Sequence, residues 1–305
     1  MATAAPIITI EDRGQDLAQK TVCLKVHLGL VGNSRKVSNS QVEVDADKQL
    51  IRVSKTLLDS VELQAIKTLD GEVRRYLYDN CLPFESGIQL VPLPQIETVD
   101  QKLREYAQQR LGLVEAFVGA YPRLCEQAAV RLRTLHNPND YPTVDIVRSH
   151  FNFTWRYVSF GVPGQLKEIS ARIFDDEREK AAQMMAEASS EIQQVLRAAM
   201  GEMVAHLRDR LTDQADGKPQ RIRGSTVQKL RNFLDTFDFR NVTDDEELKE
   251  QVEKARQLLG GVSTDAIRNT AELRARVKDG MAEIAERLDA MVADRVGRKF
   301  RLDEF

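Results

Sequence analysis

The sequence predicts an α+β fold that is predominantly α, with a small N-terminal β-sheet covered by helices and then an elongated helical bundle of coiled-coil character. Three observations carry this. Apolar residues alternate with period two only before Gly161. After it the apolar period is helical throughout. Finally, residues 166–211 read as one uninterrupted helix of roughly twelve turns, with no proline and with the first glycine, Gly201, near the far end. The expected organisation is a flexible arm at 1–18, an α+β domain at 19–164 and the elongated bundle at 165–305.

After the arm, residues 21–31 alternate. Val22, Leu24, Val26, Leu28 and Leu30 share one face; Cys23, Lys25 and His27 share the other, as in a half-buried strand. Gly32-Asn33-Ser34 is a turn, and 36–44 is expected to return as the second strand of a hairpin. Residues 54–82 keep helical spacing through Leu57, Val61, Ile66, Leu69, Val73 and Leu77, and Pro83 stops them. The run 87–93, bounded by Gly87 and Pro92, reads as a buried strand. Thr98 with Gln101 forms a capping box opening a helix that reaches about residue 136, with a kink expected at Pro122. The loop HNPNDYP follows, and then FTWRYVSFG at 153–161, whose aromatic and β-branched residues suit a buried strand.

Beyond the long helix, 216–219 is a loop. Two further capping boxes, Ser225 with Gln228 and Thr243 with Glu246, open two helices, the second ended by Gly260-Gly261. A last helix is expected over 264–296, with a stripe through Val277, Met281, Ile284, Leu288 and Val292 that suits antiparallel packing on the long helix.

The long helix carries its apolar seam at Ala181, Met185, Ala188, Ile192, Val195, Ala199, Met203, Leu207 and Leu211. The spacing starts as a heptad and relaxes into steps of four. Alanine and methionine make this seam adaptable and weak per turn. Its first half, 173–192, is therefore expected to carry a partner or self-association surface, with Phe174, Arg178, Ala181, Met185, Ala188 and Ile192 as candidates. Residues 195–211 are expected to be intramolecular core. Asp175, Asp176, Glu177 and Glu179, beside Arg172, Arg178 and Lys180, read as a solvated face with i,i+4 pairs.

Forty-four basic and 47 acidic residues leave a net charge of −3, which disfavours nucleic acid as the main partner. Three widely spaced cysteines, Cys23, Cys81 and Cys125, form neither a disulfide framework nor a metal motif. There is no basic leader and no apolar run of membrane-spanning length, so the expectation is a cytoplasmic protein without a membrane span. No phosphate loop, nucleophile elbow or helical His pair occurs, so neither enzyme activity nor a cofactor is expected. One charged feature stands out. Arg295, Arg298, Lys299 and Arg301 surround Phe300 near the C-terminus and form a candidate anion or nucleic-acid contact. Helix-end charge and a short docking peptide remain open as alternative readings of it.

Four segments, SKTLLDSVELQAIKTLDGEVRRYLYDNCLPF, WRYVSFGVP, AEASSEIQQVLR and FLDTFDFRNVTDDEELKEQV, resemble a family of uncharacterised bacterial and phage proteins, domain of unknown function 3150. The resemblance spans about residues 20–295. Its motifs look like packing motifs, so it transfers no catalytic residue. Members of that family are often encoded beside a MoxR-type AAA ATPase and a protein with a von Willebrand A domain. The resemblance thus implies a third component of an ATP-driven assembly, and the long seam with the absence of catalytic motifs favours a non-enzymatic scaffold or adaptor for which self-association is open. The alternative classes are a nucleic-acid binder using the basic C-terminal segment, a membrane-active helical protein, and an enzyme whose site is assembled from distant residues.

Overall fold

The alternating and helical segments become strands and helices in a computed structural model that describes residues 16–38, 43, 45, 47, 50–159, 161–212, 220 and 222–292. Strand β1 spans Thr21–Leu28, β2 Ser34–Val37 and β3 Val53–Thr56; helix α1 spans Val61–Asn80. Two short strands, β4 at Leu82–Pro83 and β5 at Ile88–Pro92, lead into helix α2, Ile96–Leu132. Helix α3, Val144–His150, precedes β6, Phe153–Val158. The remaining described elements are helical: α4 Gln165–Ile169, α5 Ala171–Leu211, α6 Gly224–Arg240, α7 Glu246–Leu259, α8 Thr264–Asn269 and α9 Ala271–Val292. The fold is α+β and predominantly α, as the sequence predicts. Strand order in the larger sheet is β4-β5-β1-β6.

The hairpin differs from the expected one. β2 pairs antiparallel with β3, Ser34 opposite Thr56 and Val37 opposite Val53, and not with β1. Two side-chain contacts explain why residues 53–56 leave the helix expected there. The Asn33 amide donates to the Leu58 carbonyl (2.6 Å) and accepts from the Leu58 N–H (2.7 Å), closing the base of the hairpin. The Ser60 hydroxyl accepts from the Leu63 N–H (3.2 Å), so the helix starts only at Val61. The expected arm and the expected returning strand lie mostly outside the described residues.

The chain forms two compact units, each discontinuous in sequence. One comprises Met1–Leu24, Tyr78–Ile96 and Tyr157–Phe305; the other comprises Lys25–Leu77 and Glu97–Arg156. This differs from the single cut between 164 and 165. Leu17, Cys23, Leu82 and Leu90 bury themselves in the same core as α5, α6, α7 and α9, so short early segments join the helical unit.

In the second unit, Leu63 and Ile66 of α1 pack with Val114, Phe117, Val118 and Tyr121 of α2, and Val147 and Phe151 close the cluster. The Phe117 and Phe151 rings meet edge to face at 5.3 Å. Pro122 lies inside α2, which runs on to Leu132. Arg110 is fully buried and pairs with both oxygens of the buried Asp70 (2.7 and 3.1 Å). Its remaining donors reach the carbonyls of Gly29 (2.6 Å) and Phe151 (3.0 Å). Only glycine fits at position 29, because a Cβ there would overlap the His150 carbonyl and the Asn152 side chain.

In the helical unit, α9 runs antiparallel to α5. Arg274 donates to the Leu211 carbonyl (3.1 Å), and Gly201 faces Leu288. The buried stripe of α5 is Met185, Ala188, Ile192, Leu196, Met200, Val204, Leu207 and Leu211. Val195, Ala199 and Met203, expected in the seam, are only half-buried. Successive steps of four advance the stripe by about 40° each around the helix, so it passes under several partners and leaves the heptad line.

Three helix starts also move. Ser170 is extended (φ −160, ψ 112) and its hydroxyl caps α5, so the expected 166–211 helix is α4 plus α5. Thr270, likewise extended, divides the expected 264–296 helix into α8 and α9; residues after 292 lie outside the described residues. Asp245, not Thr243, caps α7 by accepting from the Leu248 N–H (3.1 Å). Arg197 holds that carboxylate with two hydrogen bonds, at 2.6 and 2.8 Å, and so fixes the cap. Thr98 and Ser225 cap nothing, since α2 opens at Ile96 and α6 at Gly224.

Candidate functional site at the first turns of the long helix

An amphipathic helix buries its apolar stripe wherever its own chain provides a partner. On α5 that condition changes at one point. From Ala171 to Met184 no residue is buried; from Met185 onward a buried residue recurs every three or four positions. The apolar register nonetheless continues into the uncovered part. Phe174 and Ala181 stand on the heptad line of Ala188, and Arg178 stands on that of Met185 and Ile192. Phe174 and Ala181 are half-buried and Arg178 is exposed. Ile169, 77% exposed, and Ile173, 39% exposed, add apolar surface beside them.

Charges flank the stripe. Arg172 pairs with Asp176 (2.9 Å) and Lys180 with Glu177 (2.6 Å), with both carboxylates about half exposed. The Glu177 hydrogen bond raises the Lys180 ammonium above its ordinary value. Asp175, Arg178 and Glu179 have no ion partner among the described residues. The arrangement offers an apolar strip with separated charges on its edges, which is the chemistry of helix-to-helix docking.

Of the six candidates read from the sequence, Phe174, Arg178 and Ala181 are at the surface. Met185, Ala188 and Ile192 lie in the chain's own core. The boundary between surface and core therefore falls near Met185, not near Val195. Arg295, Arg298, Lys299 and Arg301 lie outside the described residues. Sequence reading missed Ile169, since the break at Ser170 has no Glu or Gln at position 173 to complete a capping box.

Other features of the described residues serve structure. A cavity of 470 Å³ is bordered by Arg231, Asp235, Arg256 and the Gly260-Gly261 loop. Arg231 donates to the Leu259 and Val262 carbonyls, and Arg256 to the Leu234 carbonyl (2.6 Å) and Asp238 (2.9 Å). Both guanidinium groups thus act largely as caps for helix carbonyls. Among the described residues no group of His, Cys, Asp or Glu is placed to hold a metal ion, and no helix is long and apolar enough to cross a membrane. His206 and Arg156 are exposed.

A family model described as "Protein of unknown function (DUF3150)" matches residues 19–244. The chain belongs to that family. No curated protein and no solved structure matches the chain. The DUF3150 match takes in all of α5 and α6 and ends just before the Asp245 cap, so α7, α8 and α9 fall beyond it.

Proposed function

We propose that this DUF3150 protein is a non-enzymatic scaffold or adaptor of the cytoplasm that docks other proteins through the first turns of α5. The partners proposed are a MoxR-type AAA ATPase and a von Willebrand A domain protein, with self-association as a further use of the same face. One observation carries the reading: the apolar register of α5 runs on to Phe174, about three turns past Met185, the outermost buried residue of that helix. A helix that keeps its stripe where no described residue buries it has a surface suited to a partner helix. The expected occupant is an amphipathic helix, which would lay its apolar face on Phe174 and Ala181 and meet Arg178 with a carboxylate.

The test mixes the purified full chain with the ATPase and von Willebrand A proteins encoded beside it and follows complex formation by sedimentation velocity. The reading expects a discrete complex that is lost in the F174E/A181E double variant, because two carboxylates on the stripe repel an apolar partner face. The double variant keeps the wild-type melting temperature of the free chain to within a few degrees. A complex that forms equally well with the double variant, or no complex with either protein, overturns it.

A further inference from the structure

We infer that the open edge of β6 takes up an extended segment of a partner protein as an added strand, and that this segment alternates acidic with apolar side chains. The recognition uses none of the residues of the α5 face and goes beyond the reading of that face.

β6 is the end strand of the order β4-β5-β1-β6, so one of its two edges has no neighbour among the described strands. One hydrogen bond shows which backbone groups lie on that edge. The Gly29 N–H, just past β1, donates to the Asn152 carbonyl (2.8 Å), so Asn152 faces the β1 side. Backbone groups alternate between the two edges of a strand. Thr154 and Arg156 therefore turn theirs toward β1, and Phe153 and Trp155 turn theirs to the open edge. Edges of this kind are commonly blunted by proline, bulges or charge. The strand FTWRYV has no proline or glycine, and all its residues but Arg156 favour extended backbone.

The two faces of the strand differ in chemistry. Phe153 and Trp155 are half-buried with their rings 5.5 Å apart, and the Trp155 indole N–H donates to Asp100 of α2 (2.8 Å). This face is aromatic, and its Asp100 carboxylate is already held by the indole and by Arg104 (2.7 Å). Thr154 and Arg156 are exposed on the other face, and Lys25 and His27 of β1 are exposed in the same alternation. Arg156 and Lys25 have no ion partner among the described residues. An added strand alternates in the same way. Its acidic side chains would stand beside Arg156 and its apolar ones beside Phe153 and Trp155. A second copy of β6 fits less well, since FTWRYV has no carboxylate to set against Arg156. The single arginine thus disfavours self-pairing and leaves pairing with an acidic strand open.

The probe is a fluorescein-labelled octapeptide of alternating glutamate and valine, titrated onto the full chain and followed by anisotropy. Trp155, the single tryptophan, reports from the edge itself. Binding is expected to shift its emission and to slow exchange of the Phe153 and Trp155 amides about fivefold or more. Arg156→Glu is expected to weaken the peptide about tenfold or more and to bind the lysine–valine octapeptide in its place. Arg156 is exposed, so this variant keeps the wild-type melting temperature of the free chain to within a few degrees. N-methylation of every second peptide residue is expected to abolish binding for one of the two alternate sets and to spare it for the other, because only one set turns its N–H groups to β6. No binding up to about 1 mM peptide, or binding indifferent to both methylations, overturns the proposal. Phe153 and Trp155 amides that are already slow in the free chain and unchanged by peptide overturn it as well. Protection of those amides that rises with chain concentration also overturns it and assigns the edge to a second copy.

Discussion

Two buried arginines illustrate how differently the same side chain behaves when its partners differ. Arg110 spends its donors on Asp70, Gly29 and Phe151, whereas Arg240, also buried, keeps its Nε without a partner among the described residues. Burial therefore lowers the Arg240 pKa, and the Phe233 ring beneath it offers only a weak cation–π contact at 5.8 Å. Arg110→Met strands the Asp70 carboxylate and is expected to cost about 3–5 kcal/mol. Urea midpoints of Arg110→Met against wild type measure the loss. The thiols follow the same desolvation rule. Burial pushes Cys81 up to about 12 and raises Cys23 and Cys125 as well. A thiol-disulfide reagent at pH 8 should leave all three slow in the folded chain and modify them quickly in denaturant; rapid native labelling of Cys81 would contradict its burial. Asp100 shows the opposite shift. The Trp155 indole N–H (2.8 Å) and then Arg104 (2.7 Å) hold its carboxyl below the ordinary value. Because the folded pKa is the lower one, this stabilisation is complete above about pH 4 and is lost as pH falls through the folded value. The stability gap between wild type and Trp155→Phe should accordingly be larger at pH 7 than at pH 3.

At the scale of elements, long periodic segments were legible in the sequence and their ends were not. The bodies of α1, α2, α5 and α7 follow from apolar spacing alone, since a stripe of that period has one way to bury itself. Their starts depended on which of several hydroxyls or carboxylates won the cap. Thr243 has the right spacing to Glu246, yet its hydroxyl is buried without a hydrogen-bond partner among the described residues, while Asp245 takes the cap with help from Arg197, forty-eight residues away in sequence. That help is a tertiary contact and leaves no local signal. The pairing of β2 with β3 likewise depends on Asn33 reaching Leu58 across the hairpin. The candidate interface was read from the seam of α5 alone, yet Met185, Ala188 and Ile192 fall in the chain's own core, because what covers a helix is invisible in the helix's own sequence. The shifted edge changes what substitutions should do. Met185→Glu now puts an unpaired charge into the chain's own core and should destabilise it by several kcal/mol, as Leu207→Glu should. Phe174→Glu, outside that core, should cost about 1 kcal/mol or less. Thermal melts of the three variants separate them, and a Met185→Glu chain melting like wild type would move the edge of the core back toward Val195.

At the scale of the whole chain, the family match and the packing disagree about where the protein can end. The match stops at residue 244, but the buried stripe of α5 is covered in part by Val277, Met281, Ile284 and Leu288 of α9, and the core also includes Val252, Ala255 and Leu259 of α7. Removing residues 245–305 takes away the Asp245 cap, the partner of Arg197 and one whole side of the α5 stripe, leaving large apolar side chains in water. At about 25 cal/mol per Å² of apolar surface, several uncovered Leu, Ile and Met side chains exceed the margin by which a domain is ordinarily stable. The unit made of Lys25–Leu77 and Glu97–Arg156 has a core of its own around Ile66, Phe117 and Phe151. It also contains the single tryptophan, Trp155, bonded to Asp100. A chain ending at residue 244 should therefore lose more helical ellipticity than its missing residues account for and bind an apolar dye. Its tryptophan emission should stay native-like and shift only when the second unit melts. A truncated chain that is monomeric, binds no dye and melts in one transition at the wild-type temperature would mean that α7 and α9 decorate the fold without completing it.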